Sequence, residues 1–183
     1  MNGNVSGGAY ALTVLTPIVP GQETNLRAHL EALPTEQRSP LSRLTSTHFA
    51  RYLVIDDLIY QGPPQKPDRL SCAYLLFTSN FDGDLDAYLE DMHAYMRDDA
   101  DAIWGHCVGY PGSGDLDSFK AYFRHNQVPT TFFVAAYPDV TVSEVRAALA
   151  LRQRVIDFAL RSQGVEPDEL HQAFLEAFSD ELA

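Results

Sequence analysis

A glycine-rich loop from Trp104 to Gly112 gathers the widest range of reactive side chains in the chain. Its sequence, WGHCVGYPG, brings an imidazole, a thiol, an indole and a phenol together among turn-forming residues. His106 could act as a general base or as a haem ligand, because the charge of an imidazole changes near neutral pH. The structural alternative is that the glycines form tight turns while Trp104 and Tyr110 pack against a sheet.

Arg51 and His48 lie within an apolar run that has the composition of a β-strand. They are expected on opposite faces, because side chains alternate along a strand. A buried guanidinium requires either a carboxylate partner or a substrate anion. One interpretation is therefore an internal ion pair with Asp56, Asp57 or Asp82. The other is that Arg51 holds a carboxylate or enolate, while His48 or His106 moves a proton.

The acidic residues near this run carry no specific motif. Asp56 and Asp57 could share a proton, but neighbours on a strand point to opposite faces. The aspartates at 82, 84 and 86 match a calcium loop only in part, so no metal site is predicted. The sequence also lacks the dinucleotide, phosphate-loop, serine-hydrolase and zinc-protease motifs.

Four apolar runs bounded by turn formers predict the strands that position these residues. They are Ala9–Thr16, Thr47–Ile55, Leu70–Ser79 and Thr130–Tyr137. The proline-rich loop Gly62–Pro67 cannot join a hydrogen-bond ladder and is expected at an edge or rim. Both faces of the second and third runs are mainly apolar, which predicts that the sheet is covered on both sides.

Apolar residues at helical spacing predict five helices. These are Gln22–Leu33, Asp84–Arg97 with 98–103 as an extension, Leu116–His125 with Asp115 as N-cap, a helix from Thr141 or Ser143 to about Ser162, and Asp168–Leu182. Residues 1–8 are expected to be a disordered leader and residues 9–162 one domain. Residues 163–183 are expected to form a separate C-terminal amphipathic helix.

The charge and cysteine content limit the classes of partner. The 183 residues carry a formal net charge of −12 with only 13 lysines and arginines, which disfavours nucleic acid and anionic membrane surfaces. Two cysteines do not form a disulfide framework, and free thiols fit a reducing compartment. No apolar run approaches the ~20 residues that span a bilayer. We therefore expect a cytoplasmic protein.

The order of the predicted elements is that of an α+β protein with the ferredoxin-like β-α-β-β-α-β arrangement, extended by a helical insertion and C-terminal helices. Helices cover one face of such a sheet, and a second copy of the chain is the simplest cover for the other. Over residues 9–162 the chain thus resembles the dimeric α+β barrel superfamily. The resemblance rests on element order and on apolar strands such as THFARYLVI. It implies a homodimer with a lumen between two sheets.

Members of this superfamily include cofactor-free monooxygenases, polyketide cyclases and isomerases, and haem enzymes of the chlorite dismutase and dye-decolourising peroxidase groups. The resemblance implies an oxidoreductase, monooxygenase- or peroxidase-like, acting on a small apolar or aromatic molecule, with haem as the leading cofactor if there is one. The catalytic candidates are His106, His48 and Arg51. The expected lumen residues are Phe49, Tyr52, Tyr74, Phe77, Trp104 and Tyr110. The alternative is a non-catalytic ligand-binding or accessory module that docks a partner through its C-terminal helix.

Overall fold

The computed structural model describes residues 3–182, with side chains as far as Asp180, and has an α+β architecture. These residues form an antiparallel sheet with strands β1 (Val5–Ser6), β2 (Ala9–Pro17), β3 (Thr47–Ile55) and β4 (Tyr74–Asp82). The strand order is β1-β2-β4-β3. Because β2 and β3 both pair antiparallel with β4, they run in the same direction on either side of it.

The helices lie close to the predicted ranges. Helix α1 (Glu23–Glu31) connects β2 to β3, followed by 3₁₀ turns at Glu36–Arg38 and Pro40–Arg43. After β4 come α2 (Leu85–Tyr95), α3 (Arg97–Trp104), α4 (Leu116–His125), α5 (Val142–Arg161), α6 (Pro167–Ala177) and α7 (Ser179–Leu182). The predicted bounds and N-cap of α4 are confirmed, since the Asp115 carboxylate accepts a hydrogen bond from the Ser118 N–H at 2.9 Å.

The alternation of side chains divides the sheet into a covered face and an open face. On the covered face, the side chains from β4 are almost fully buried: Leu75, Phe77, Ser79 and Phe81. They pack with buried residues of α1 to α4, including Leu26, Leu89, Met92, Ile103, Trp104 and Phe123. On the open face, the β3 residues Phe49 and Leu53 are 76% and 39% exposed. Helices therefore cover one side of the sheet, and the other is exposed along β3.

The predicted strand Thr130–Tyr137 is wrong, because this segment forms no strand. Residues 126–128, just before it, run along the β2 edge: the Val128 N–H donates to the Thr13 carbonyl at 2.8 Å. The start of that edge, at Ala9 and Tyr10, pairs with β1, which occupies the place a longer fourth strand would need. The segment instead contacts the residues around β1, where its Thr130 N–H donates a hydrogen bond to the Asn4 side chain at 2.7 Å.

Strand β1 lies in the segment interpreted as a disordered leader, of which residues 1 and 2 are outside the described residues. Val5 pairs with Tyr10 and Ser6 with Ala9, so residues 5–10 form a β-hairpin. Gly7 has φ +60°, and a Cβ there would come within 2.2 Å of the Pro138 carbonyl oxygen. Glycine is thus required at the turn. The Gly-Gly pair is a known hairpin signal that the leader interpretation did not use.

The chain divides into two compact units, Met1–Val142 and Ser143–Ala183. The first unit holds the sheet and α1 to α4, and the second is helical. In the second unit the Phe158 ring packs edge-on against Phe174 and Phe178, with centroid distances of 5.8 and 5.5 Å. Within residues 3–182 no helix is long and apolar enough to cross a membrane.

Two tyrosines on the covered face provide a test of this packing. The Tyr88 hydroxyl hydrogen bonds with Ser79 at 2.7 Å and Thr47 at 3.2 Å, whereas the buried Tyr52 hydroxyl has no partner among the described residues. We expect Tyr88→Phe to lower the free energy of unfolding by about 1–2 kcal/mol. Tyr52→Phe should leave it unchanged or raise it, because a buried unpaired hydroxyl is lost. Urea unfolding of both variants measures this difference, and equal losses would contradict it.

Candidate functional site

The candidate site is an open-sided cleft of about 390 Å³ on the open face of the sheet. Side chains and backbone of β2, β3 and β4 form its floor. Its lining residues are Ala11, Leu12, Thr13, Phe49, Ala50, Arg51, Thr78, Asn80 and Thr130. The strand register explains why they meet, because Thr13 and Arg51 both lie opposite Thr78, and Ala11 and Phe49 both lie opposite Asn80.

Arg51 is the cationic residue of this cleft. Its Nε donates a hydrogen bond to the Thr78 hydroxyl at 3.2 Å, which fixes one edge of the guanidinium. Among the described residues its two terminal nitrogens have no hydrogen-bond partner, and no carboxylate lies within ion-pair distance. The terminal N–H groups are therefore available to a ligand.

The three aspartates considered as partners of Arg51 are engaged elsewhere. Asp56 pairs with Arg27 at 2.6 Å, and Asp82 bonds to His48. Asp57 accepts hydrogen bonds from the backbone N–H groups of Leu70 and Leu58, and these bonds lower the pKa of its carboxyl. Of the two interpretations of Arg51, the internal ion pair is therefore not found in the described part of the chain.

His48 occupies a β-bulge, where the pairing with β4 shifts between Thr47 and Phe49. Its Nε2 lies 2.7 Å from Oδ1 of Asp82, and the other oxygen of Asp82 accepts the Val142 N–H at 2.7 Å. Asp82 belongs to the same side of β4 as Asn80, about 7 Å further along the strand. The bulge thus brings His48 to the rim of the open face, where strict alternation had placed it on the other side from Arg51.

His106 lies at the opposite end of the sheet from His48. Its carbonyl accepts the Val19 N–H just after β2, and its Nδ1 is 3.1 Å from Oε1 of Gln22. Nine-residue strands separate this end from the Asp82 end by roughly 25 Å. The structure therefore brings Arg51 and His48 toward one face but leaves His106 apart from both.

The six aromatic residues expected to line a lumen are divided by the sheet. Four pack in or against the core of the covered side: Tyr52, Phe77, Trp104 and Tyr110. The Tyr52 ring stacks on Phe77 with a centroid distance of 4.9 Å. Phe49 and Tyr74 belong to the open face, and of the six only Phe49 lines the cleft.

The glycine-rich loop is held by hydrogen bonds to α3. Asp101 accepts bonds from the Tyr110 hydroxyl at 2.7 Å and the Ser113 hydroxyl at 2.6 Å. Burial favours a higher pKa for Asp101, but these hydrogen bonds outweigh it and lower the pKa. The carbonyl of Ser113 accepts bonds from Arg97 and His93. This geometry agrees with the structural alternative, in which the glycines form tight turns and the aromatic residues of the loop pack against the rest of the fold.

The cleft does not fit a haem group. Haem iron requires an axial ligand such as histidine, cysteine, methionine or tyrosine, and none of these lines the cleft. Neither His48 nor His106 is among the lining residues. Across the described side chains, no group of three or more His, Cys, Asp or Glu residues could hold a metal ion. No chemistry through haem is therefore derived at this site.

Another cleft of the same volume, between α1 and β3, is less suited to an anion. It is lined by Arg27, Leu30, Glu31, Tyr52, Leu53 and Val54. Arg27 is already paired with Asp56, and Glu31 adds a second carboxylate nearby. The local charge therefore favours the open-face cleft for anion binding.

The sequence analysis missed the polar partners of Arg51 in the cleft. Thr78 and Asn80 alternate with buried residues near the end of β4, and Thr13 and Thr130 come from distant segments. A polar residue at every second position was the available signal for Thr78 and Asn80. For Asn80 it was lost because the predicted strand ended at Ser79, whereas β4 continues to Asp82. Thr78 lies inside the predicted strand, but its hydroxyl was not considered as a partner of Arg51.

Comparison with known protein families, with curated proteins and with solved structures finds no match to this chain. Its function is therefore inferred from the geometry of its own residues. The best-defined feature is a cleft with one arginine, neutral polar side chains and an exposed aromatic ring.

The buried thiol of Cys107 is expected to be unreactive. Burial raises its pKa to about 11, against a weaker opposite effect of the hydrogen bond from Thr16. Because the folded pKa is raised, the thiol stabilises the fold fully below its unfolded pKa of ~8.5, and this contribution is lost as the pH rises toward 11. At pH 8 we expect Cys107 to react with Ellman's reagent on the order of 100-fold more slowly than half-exposed Cys72.

Stopped-flow absorbance of the native protein measures both thiols, and Cys107→Ala should leave only the fast phase. Two thiols with the same native rate would contradict the assignment. Unfolding in urea should make both reactive at once.

Proposed function

We propose that the protein binds a small molecule in which a carboxylate, or a similarly compact anion, is attached to an apolar or aromatic body. The ligand would occupy the open-face cleft. The observation that carries this proposal is Arg51, whose Nε is held by Thr78 at 3.2 Å while its terminal N–H groups have no carboxylate partner among the described residues. A planar guanidinium offers two parallel donors that match a carboxylate.

The other residues of the cleft suit the remainder of such a ligand. Phe49 is 76% exposed and offers an aromatic surface beside Arg51. Thr13, Asn80 and Thr130 supply neutral hydrogen-bonding groups. A few polar groups set among apolar surface are typical of sites that orient small molecules.

We further infer that the first unit has the ferredoxin-like arrangement and that a second copy covers its open face. Residues 126–128 run beside β2, in the place of the fourth strand of that arrangement. The exposed Phe49 and Leu53 need an apolar cover, and an identical face supplies one. Two copies of Arg51 would then enter one chamber, which would favour an anionic ligand further.

Catalysis on the bound anion is the second candidate function: a base would remove a proton, and in an oxidoreductase of the cofactor-free monooxygenase kind dioxygen would be the oxidant of the resulting carbanion. The His48–Asp82 pair favours it, because a carboxylate that orients an imidazole is a common arrangement for proton transfer. His48 precedes Phe49, and Asp82 follows Asn80 by two residues, so the pair lies beside the cleft. In this candidate Arg51 would hold the anion and His48 would accept a proton.

Ligand binding is tested with benzoate, phenylacetate and the neutral isostere benzamide in NMR titrations. We expect at least one carboxylate to bind and benzamide to bind more weakly. Arg51→Gln should weaken carboxylate binding on the order of 10-fold, because a charge-assisted hydrogen-bond pair is lost. Arg38→Gln is the matched control, since it removes the same charge from an exposed 3₁₀ turn.

Equal binding of benzoate by Arg51→Gln and Arg38→Gln would exclude the proposed role of Arg51. Absence of binding by all the carboxylates, or equal binding of benzamide, would exclude the proposed ligand class. A bell-shaped rate profile abolished by His48→Gln, with binding retained, would distinguish turnover from binding alone.

Pairing through the open face is tested by Leu53→Asp. We expect this variant to have a lower average mass than the unmodified protein in a sedimentation dilution series, because it places a charge in the apolar contact. Val19→Asp is the control, since Val19 is 38% exposed, close to the 39% of Leu53, and lies outside the open face. The same dilution profile for Leu53→Asp and the unmodified protein would refute the pairing.

A further inference from the structure

Helix α5 of the second unit has apolar side chains on two opposite sides. One side faces α6: Phe158 packs on Phe174, and the Arg154 guanidinium lies 5.4 Å from the centre of the Phe178 ring. The other side carries what we name the α5 stripe: Val145, Leu149, Ile156 and Leu160. Val145, Leu149 and Leu160 are 42%, 59% and 64% exposed. At 100° per residue the stripe falls within one narrow sector of the helix, roughly opposite Arg154.

Three of the four stripe residues are exposed and Ile156 is half-buried, which leaves the second unit short of a core. Among its described side chains only Phe178 is buried. The unit spans Ser143–Ala183, close to the ~40-residue size below which domains usually need a disulfide, a metal or an oligomer to fold. A helix that is apolar on both sides is expected to be covered on both.

We propose that the α5 stripe packs in antiparallel orientation against the same stripe of a second copy of the chain. The spacing of the stripe is four, seven and four residues, which reads the same in both directions. A two-fold axis between Arg152 and Gln153 places Val145 opposite Leu160 of the partner subunit and Leu149 opposite Ile156 of the partner subunit. A symmetric contact must be self-complementary in this way.

The charges beside the stripe fit the same register. Arg146 and Asp157 lie on one flank, so the antiparallel pair brings Arg146 close to Asp157 of the partner subunit, and the two-fold repeats this contact. Arg152 lies on the other flank, next to Arg152 of the partner subunit. This like-charge contact opposes association, so removing the charge of Arg152 should strengthen association. The contact would extend over ~22 Å of helix.

The first test is disulfide cross-linking in the full chain. Gln153 lies beside the proposed two-fold axis, so Gln153→Cys should form a disulfide between subunits under mild oxidation. Ala150→Cys is the matched control, because it is exposed on the same helix but points away from the stripe. The unmodified protein gives the background from half-exposed Cys72. Failure of Gln153→Cys to cross-link, or equal cross-linking at both positions, would overturn the register.

The second test measures association of full-length variants by sedimentation. Leu149→Glu should weaken it about 10-fold or more, because a leucine that the proposed contact buries is replaced by a charge. Ala150→Glu adds the same charge off the stripe and should leave it unchanged, while Arg152→Gln should strengthen it. Circular dichroism of both glutamate variants checks that the helix is retained.

Other occupants of the stripe give different results. If the stripe docks on the chain's own first unit, Gln153→Cys forms no disulfide between subunits and Leu149→Glu associates as the unmodified protein does. If it lies on a membrane, the monomer binds phosphatidylserine vesicles. Either outcome would overturn the proposal. The pairing uses no residue of the open-face cleft, so these results are independent of carboxylate binding.

Discussion

Burial of Phe77 in the central strand β4 is the constraint on which the first unit depends. Phe77 is fully buried and lies opposite both Val14 of β2 and Tyr52 of β3. Because side chains alternate along a strand, this contact places Thr78 and Arg51 on the other face. A slip of one residue would bury the guanidinium and expose the aromatic rings. The position of Arg51 is therefore a consequence of core packing.

The alternation could be predicted from the sequence because it is local. The two-residue period of a strand alone predicts Leu75 and Phe77 on one face and Tyr74 and Thr78 on the other, and the structure has them on opposite faces. The covered face is also where the loop aromatics pack, which explains why Trp104 stacks edge-on against Phe77 at 5.4 Å rather than lining the cleft. The presence of aromatic residues in a loop does not by itself predict on which face of the sheet they pack.

What the sequence could not predict depends on competition between distant segments. Thr130–Tyr137 has strong strand propensity, yet the two residues of β1 pair with the sheet edge instead. The Gly7-Gly8 turn places β1 beside β2 with only two residues between them, so this pairing needs no long loop to close. The His48 bulge is equally non-local, since it depends on how β3 is paired with β4. The candidate site contained one residue fixed by local pattern, Arg51, and partners such as Thr13 and Thr130 that only the folded chain brings to it.

A net charge of −12 is compatible with an anion site because electrostatic effects differ in range. At physiological salt the Debye length is ~8 Å, so carboxylates scattered over the surface act weakly on a ligand in the cleft. A guanidinium in hydrogen-bond contact acts at ~3 Å, where screening by ions is small. Two of the acids considered as partners of Arg51 are moreover engaged elsewhere, Asp82 by His48 and Asp56 by Arg27. The surface charge would thus act on macromolecular partners, whereas the proposed small anion would be recognised by the few atoms around Arg51.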